Sequence, residues 1–259
     1  MDDQLVGLTL RDDVAWVQLS RPPVNALDSA LVEALAETVL ELEALSPRAA
    51  VFSGGSRTLA AGGDVKWMLE RGSAGDRLAL RRFLRGIQRL FDDVERLPFP
   101  TVAVVRGYTL GGGLELALAC DLRVAAEDAK VGFPEATLGL LPAAGGTQRL
   151  AEAVGRGIAL ELLYTGRMIG AEEAQRLGLL NRVVRADDVD DAVSALLDEV
   201  LRSTSDALTA IKACVQANVL DGRPAGSRTE SHTIEGLAVG TPALARLAEF
   251  QNRNARSMR

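Results

Sequence analysis

Hydrophobic and polar positions alternate through VGLTLRDDVAWVQLS, residues 6–20. Period-two alternation broken by Arg11-Asp12-Asp13 predicts two strands around a polar turn. RPPVNALD follows as a loop, because consecutive prolines lack the N–H groups that a helix needs. Asp28 is a suitable N-cap, and Leu31, Leu35, Val39 and Leu42 then recur at helical spacing. AAVFSGG reads as a short buried strand, and LAAGGDVKWML as a glycine loop entering a helix. A surface loop is expected over Ser73 to Asp76. DRLALRRFLRGIQRLFDDVERL has the period of a long amphipathic helix, ended by Pro98 and Pro100, and TVAVV is the next buried strand.

GYTLGGGLELALACD, Gly107 to Asp121, reads as a glycine turn opening an apolar helix that contains one glutamate, Glu115. Strands LRVAA and AKVGFPE follow, with a turn at Glu127-Asp128 between them. PAAGGTQRLAEAVG is a glycine-opened helix, and helices are expected over Ile158–Tyr164, Ala171–Leu177 and Asp187–Arg202. Residues 206–259 read as helical, broken near Asp221-Gly222 and at Pro242. Short strands alternating with helices, then helices alone, define an α/β core domain over 1–200 and a helical C-terminal region over 201–259. No segment repeats at a fixed period.

Composition narrows the function classes. The net charge is -6, only Lys66, Lys130 and Lys212 are lysines, and no basic run is mixed with aromatics, which argues against nucleic acid as a partner. Cys120 and Cys214 are far apart in apolar helical contexts and suit core packing. His232 is the single histidine, so neither a conventional zinc site nor a Ser-His-Asp triad has its parts, and no metal is expected. The opening MDDQLVGL has no signal or transit character, and no apolar run reaches membrane-spanning length. A cytoplasmic protein without a membrane partner is the expectation.

Four stretches carry candidate chemistry, each with two readings. In GGGLE, a strand, a glycine turn and a helix start present bare N–H groups at a positive dipole end, where an oxyanion can sit. Equally, Glu115 can simply favour the helix N-terminus while the glycines pack. In GFPEATLG, Glu135 follows a strand and a proline, and a helix-then-strand return can bring it to the end of the sheet that holds Glu115. Paired carboxylates in unequal environments suit acid–base work, whereas an exposed glutamate at a strand end is the ordinary alternative. In LAAGGDVK, Gly62-Gly63 offers a second bare N–H beside that of Gly112, or else an ordinary turn capped by Asp64. In AAGGTQRL, the glycines can bind phosphate or merely permit a tight loop.

Together these stretches resemble the crotonase superfamily, the enoyl-CoA hydratase/isomerase family. RPPVNAL, AAGGDVKWM, PTVAVVRGYTLGGGLELALACDLRVAAEDAKVGFPEATLGLLPAAGGTQRL and GLLNRVV occur in its order over residues 5–185. GGGLELALACDLRVAA is especially similar to the methylglutaconyl-CoA hydratase branch. The resemblance implies a spiral of ββα repeats with a helical C-terminal region that forms a homotrimer, or a dimer of trimers. It places the catalytic glutamates at Glu115 and Glu135 and the oxyanion-hole N–H groups at Gly63 and Gly112. It assigns Ala26, Ala61, Asp64, Lys66 and Leu110 to the acyl-CoA substrate site. Hydratases of the family use both glutamates, and many of its isomerases, decarboxylases and hydrolases lack one or both. The activity implied is therefore a hydro-lyase adding water to a 2-enoyl-CoA, with CoA part of the substrate and no separate cofactor. An isomerase, or an acyl-CoA-binding protein without activity, is the alternative.

Some positions depart from the family pattern. Leu59 stands where an aromatic residue is common, which would alter the wall near the CoA thiol arm. Ala143 replaces a glycine and would narrow the acyl pocket. Ala243, Arg246 and Leu247 replace the acidic-glycine pattern near the C-terminus, leaving Arg253 and Arg256 as a basic tail or as partners for CoA phosphates.

Overall fold

The computed structural model describes residues 4–257, with side chains described as far as Arg253. Strands β1 (Val6–Arg11) and β2 (Val14–Leu19) form an antiparallel hairpin in which Arg11 faces Val14. Its two turn residues, Asp12 and Asp13, have φ of 48° and 62°, the left-handed pair whose twist matches a two-residue hairpin. Four strands then add in parallel: β3 (Ala49–Ser53), β4 (Thr101–Val105), β6 (Leu122–Ala126) and β9 (Arg182–Val184). The sheet order is β1-β2-β3-β4-β6-β9. β4 is buried along its whole length, as expected of a parallel strand covered on both faces.

A smaller sheet has the order β5 (Tyr108–Leu110), β7 (Lys130–Gly132), β8 (Ile169–Gly170). Two successive turns of chain share one construction. β4 joins the large sheet and β5 the small one before helix α4 (Gly112–Ala119). β6 and β7 repeat that division before a 3-10 turn (Pro134–Leu138) and helix α5 (Gly146–Val154). This is the spiral of ββα units that the resemblance implied. The strand read through Glu135 ends at Gly132, because Pro134 opens the 3-10 turn instead. The Gly107–Leu110 segment, read as turn, contributes β5.

The remaining helices of this unit are α1 (Ser29–Leu45), α2 (Val65–Ser73), α3 (Arg77–Arg96), α6 (Arg156–Thr165) and α7 (Ala171–Arg176). The carboxylates of Asp28, Asp64 and Asp76 cap α1, α2 and α3 by accepting N–H bonds from Leu31, Trp67 and Ala79. Leu31, Leu35, Val39 and Leu42 are buried, as their spacing required. α2 runs to Ser73, so the expected loop shrinks to the turn between α2 and α3.

The chain divides into compact units at residues 1–198 and 199–259. α8 (Val189–Val200) crosses the boundary. The second unit contains α9 (Ser205–Asp221), α10 (Arg223–Val239) and α11 (Thr241–Ser257), with breaks at Gly222 and Gly240. α9 and α10 pack closely, since a Cβ on Gly226 would lie 2.9 Å from the Asn218 Cβ. Ile211, Val215, Val219, Leu220, Ile234 and Phe250 are exposed apolar residues of this unit, and His232 is exposed on α10. No helix among the described residues is long and apolar enough to cross a membrane.

One polar junction fixes α4 against the large sheet. Asp121, just past α4, accepts from the N–H and Oγ1 of Thr101 at 2.8 and 3.0 Å, and its own N–H donates to that Oγ1 at 2.9 Å. Thr101 is fully buried. Thr101→Val keeps the shape and leaves the Asp121 N–H without its acceptor. The expected loss is about 1–3 kcal/mol, read from urea unfolding, and an unchanged midpoint would contradict this role.

Candidate functional site

Glycines bring three loops together at the N-terminus of α4. Gly111 has φ of 50° and donates its N–H to the Gly132 carbonyl at 2.9 Å. A Cβ on Gly113 would overlap the Ala60 carbonyl, so the backbones meet only because no side chain intervenes. Leu27 and Gly63 form a parallel bridge, in which the Leu27 N–H donates to Gly62 and the Asp64 N–H to Leu27, at 2.8 and 2.9 Å. A Cβ on Gly112 would lie 3.9 Å from the Gly63 nitrogen. Among the described residues, neither the Gly63 nor the Gly112 N–H has a hydrogen-bond acceptor.

Two side chains that the sequence reading passed over hold this arrangement. Arg21 bridges Asp28 and Asp64 at 2.8 and 2.9 Å and donates to the Ala26 carbonyl at 2.9 Å. Buried Asn25 donates to the carbonyls of Thr58 and Leu59 at 3.0 and 3.1 Å, and its own carbonyl accepts from the Arg21 N–H. Their signal lay in RPPVNAL, which was read as a proline loop and as part of the family resemblance, without a role for either side chain.

Glu115 lies in the first turn of α4 and is 3% exposed. Its Oε1 accepts N–H bonds from Ala144 at 2.7 Å and Gly146 at 2.8 Å. Among the described residues its Oε2 accepts no bond, and it lies 3.8 Å from where a Gly112 Cβ would stand. Burial raises its pKa, opposed by the Gly146 and Ala144 N–H groups and by the Arg149 charge. The AAGG stretch does cradle an anion, and that anion is the protein's own carboxylate.

Glu135 sits in the first turn of the 3-10 helix. A Cβ on Gly111 would collide with its Oε1, so the two carboxylates flank neighbouring glycines of one turn. Its Oε2 is buried with no hydrogen-bond partner among the described residues. Burial pushes its pKa up to about 7, its own N–H opposes the shift, and the Glu115 charge adds to it. Glu115 has two donors and a nearby guanidinium, so it is the carboxyl that ionises first.

The residues expected at the substrate site surround these loops. The Ala61 N–H donates to Val24 and the Leu110 N–H to Ala60, at 3.0 and 3.2 Å, while Ala26 is held through Arg21. The Asp64 carboxylate is committed to Arg21 and the Trp67 N–H, and those contacts lower its pKa. Lys66 is exposed on the first turn of α2. Leu59 is fully buried in the core, so the substitution there does not alter an open pocket wall. The Ala143 carbonyl accepts from Gln88 Nε2 of α3 at 2.6 Å. The Arg256 side chain lies outside the described ones. No cluster of metal-binding side chains occurs among the described residues.

Comparison with known proteins identifies the family and the fold. Residues 9–238 match the sequence profile of the enoyl-CoA hydratase/isomerase family. Human enoyl-CoA hydratase domain-containing protein 2, named as mitochondrial, is 42% identical over 195 residues, covering 73% of this chain and 65% of the relative. An enoyl-CoA isomerase/hydratase of Mycosarcoma maydis is 40% identical over 67% of this chain and 63% of its own length. The chain thus spans just under two thirds of these relatives. The crystal structure of an enoyl-CoA hydratase from Bacillus anthracis superposes with a TM-score of 0.89 at 32% identity, covering 96% of this chain and 97% of that one. The chain belongs to the enoyl-CoA hydratase/isomerase family.

The orphaned Glu135 oxygen has a measurable signature. Its folded pKa of about 7 lies above the ordinary carboxyl value of 4.5, so ionising it works against the fold. Below pH 4.5 the group is neutral in both states and carries no penalty. The penalty grows as pH rises towards about 7 and is then complete. The thermal midpoint of Glu135→Gln should therefore gain on wild type between pH 4.5 and 8, and a constant difference would contradict the assignment.

Proposed function

We propose that the protein hydrates 2-enoyl-CoA thioesters, with Glu115 and Glu135 sharing the acid–base work. The observation that carries this reading is the pair of carboxyls at one glycine turn in unequal surroundings, Glu115 held by two N–H donors and Glu135 with a buried oxygen that has no partner among the described residues. Glu115 is anchored through Oε1 and is the carboxyl that ionises first, while Glu135 keeps its proton up to about pH 7.

In this reaction the thioester carbonyl accepts the Gly63 and Gly112 N–H bonds. Water attacks C3, its oxygen forming the new C–O bond as the carbon–carbon π pair moves towards C2 and the carbonyl. Glu115 takes the proton from the water, and Glu135 gives its proton to C2. The net change is addition of H and OH, and a proton passing from Glu115 to Glu135 through solvent resets the pair. Charge builds on the carbonyl oxygen during attack, so the two N–H groups bind the transition state more strongly than the substrate. One such donor is worth about 3–4 kcal/mol. CoA enters as part of the substrate, and the chemistry asks for no further cofactor. The exposed apolar residues of α9–α11 suit burial between copies, consistent with a homotrimer or a dimer of trimers.

A second reading has one observation in its favour. With a pKa of about 7 and an oxygen that has no partner among the described residues, Glu135 in its ionised form can take a proton from C2 and return it at C4 without water, as an isomerase requires. The product mass separates the two readings, with a gain of one water for hydration and no change for isomerisation. Turnover is reported by loss of the conjugated enoyl-thioester absorbance with crotonyl-CoA and with a branched 2-enoyl-CoA. Wild type should consume at least one of them. Glu115→Gln and Glu135→Gln should each lose about 10²–10⁴-fold in kcat with little change in KM. Full activity in either variant would overturn the two-carboxylate scheme.

A further inference from the structure

Arg149 is 8% exposed, and nothing in the hydration scheme uses it. Its Nε and Nη2 donate to Glu95 at 2.9 and 2.6 Å, and its Nη2 also reaches Asp92 at 2.8 Å, both on α3. Its Nη1 donates to the Ala144 carbonyl at 3.0 Å. Ala144 is also one of the two residues whose N–H groups hold Glu115 Oε1.

Glycines show how tightly this loop is enclosed. Gly145 has φ of 100°, and a Cβ there would run into the Arg149 guanidinium. A Cβ on Gly146 would lie 2.8 Å from Glu115 Oε1 and 2.9 Å from its Cγ. The loop is one backbone thick, with a guanidinium on one side and the Glu115 carboxylate on the other.

We propose that Arg149 is a positioning residue for Glu115: anchored to Asp92 and Glu95, it holds the 142–146 loop in the shape whose Ala144 and Gly146 N–H groups fix the carboxylate with Oε2 towards Gly112. This deepens the hydratase reading and rests on it for its catalytic consequence. Stability alone is a poor account of the cluster, because a buried ion-pair network is often no more stabilising than apolar residues of the same volume. What an apolar residue cannot supply is the Nη1 donor to Ala144. Glu115 faces the Glu135 carboxyl from the 3-10 turn and the Arg149 charge from α5, and Arg149 is in turn flanked by Asp92 and Glu95 of α3 and by Glu152 of α5. The Arg149 charge also favours the ionised form of Glu115.

The test compares Arg149→Met and Arg149→Lys with wild type. The first readout is a pH titration of glutamate side-chain carboxyl 13C signals, with the Glu115 signal identified by its loss in Glu115→Gln. The second is kcat and KM on the 2-enoyl-CoA turned over fastest. Lysine keeps the charge and, without the planar fork, gives up the bond to Ala144 while it serves α3. Positioning predicts an upward move of the Glu115 midpoint in both variants, larger in Arg149→Met. It also predicts a kcat loss of roughly tenfold to a hundredfold with KM held within about threefold. A wild-type Glu115 midpoint in folded Arg149→Lys would overturn the proposal, even if Arg149→Met fails to fold. The titration needs no turnover. A wild type inactive on every enoyl-CoA would sink the hydratase reading, while the NMR result would still decide whether Arg149 controls Glu115.

Discussion

Glu115 places a carboxylate inside an apolar helix, where an uncompensated charge would be prohibitive. Its compensation is local and directional: two N–H bonds to one oxygen, from a loop that a buried guanidinium supports from behind. The other oxygen is left without a bond. That asymmetry is what the proposed hydration uses, because it leaves a carboxylate both ionisable and aimed. Glu135 is compensated much less and keeps its proton to about pH 7. Two identical functional groups therefore arrive at one turn in different surroundings.

The glycines are the second constraint, and they follow from the first. Gly113 lets α4 approach Ala60, Gly112 sits beside the Gly63 nitrogen, and Gly145-Gly146 passes between Arg149 and Glu115. Each marks a place where backbone meets backbone or backbone meets carboxylate. The large sheet supplies a rigid base for this crowding, and the Thr101–Asp121 junction ties the far end of α4 to it.

The long periodic elements were legible in the sequence. The first hairpin, α1, α3 and β4 each announced themselves by alternation, helical spacing or proline boundaries. Elements of two or three residues, such as β8, are too short to show a period and exist only because neighbouring strands accept them. Glu115, Glu135, Gly63 and Gly112 stood out as unusual residues, and the family resemblance, more than local pattern, grouped them. Arg149 could not be found that way. Its partners lie 54 and 57 residues earlier, on a helix whose polar face looks solvated in isolation. AAGGTQRL raised the right question about an anion, and only the fold could show that the anion is Glu115.

The central claim is that water itself is added, with Glu115 and Glu135 supplying the proton transfers. The most direct measurement is mass spectrometry of the product formed from a 2-enoyl-CoA in H2(18)O. The account predicts a 3-hydroxyacyl-CoA carrying one 18O on the acyl chain. A product of unchanged mass with a displaced double bond would contradict it and make the protein an isomerase.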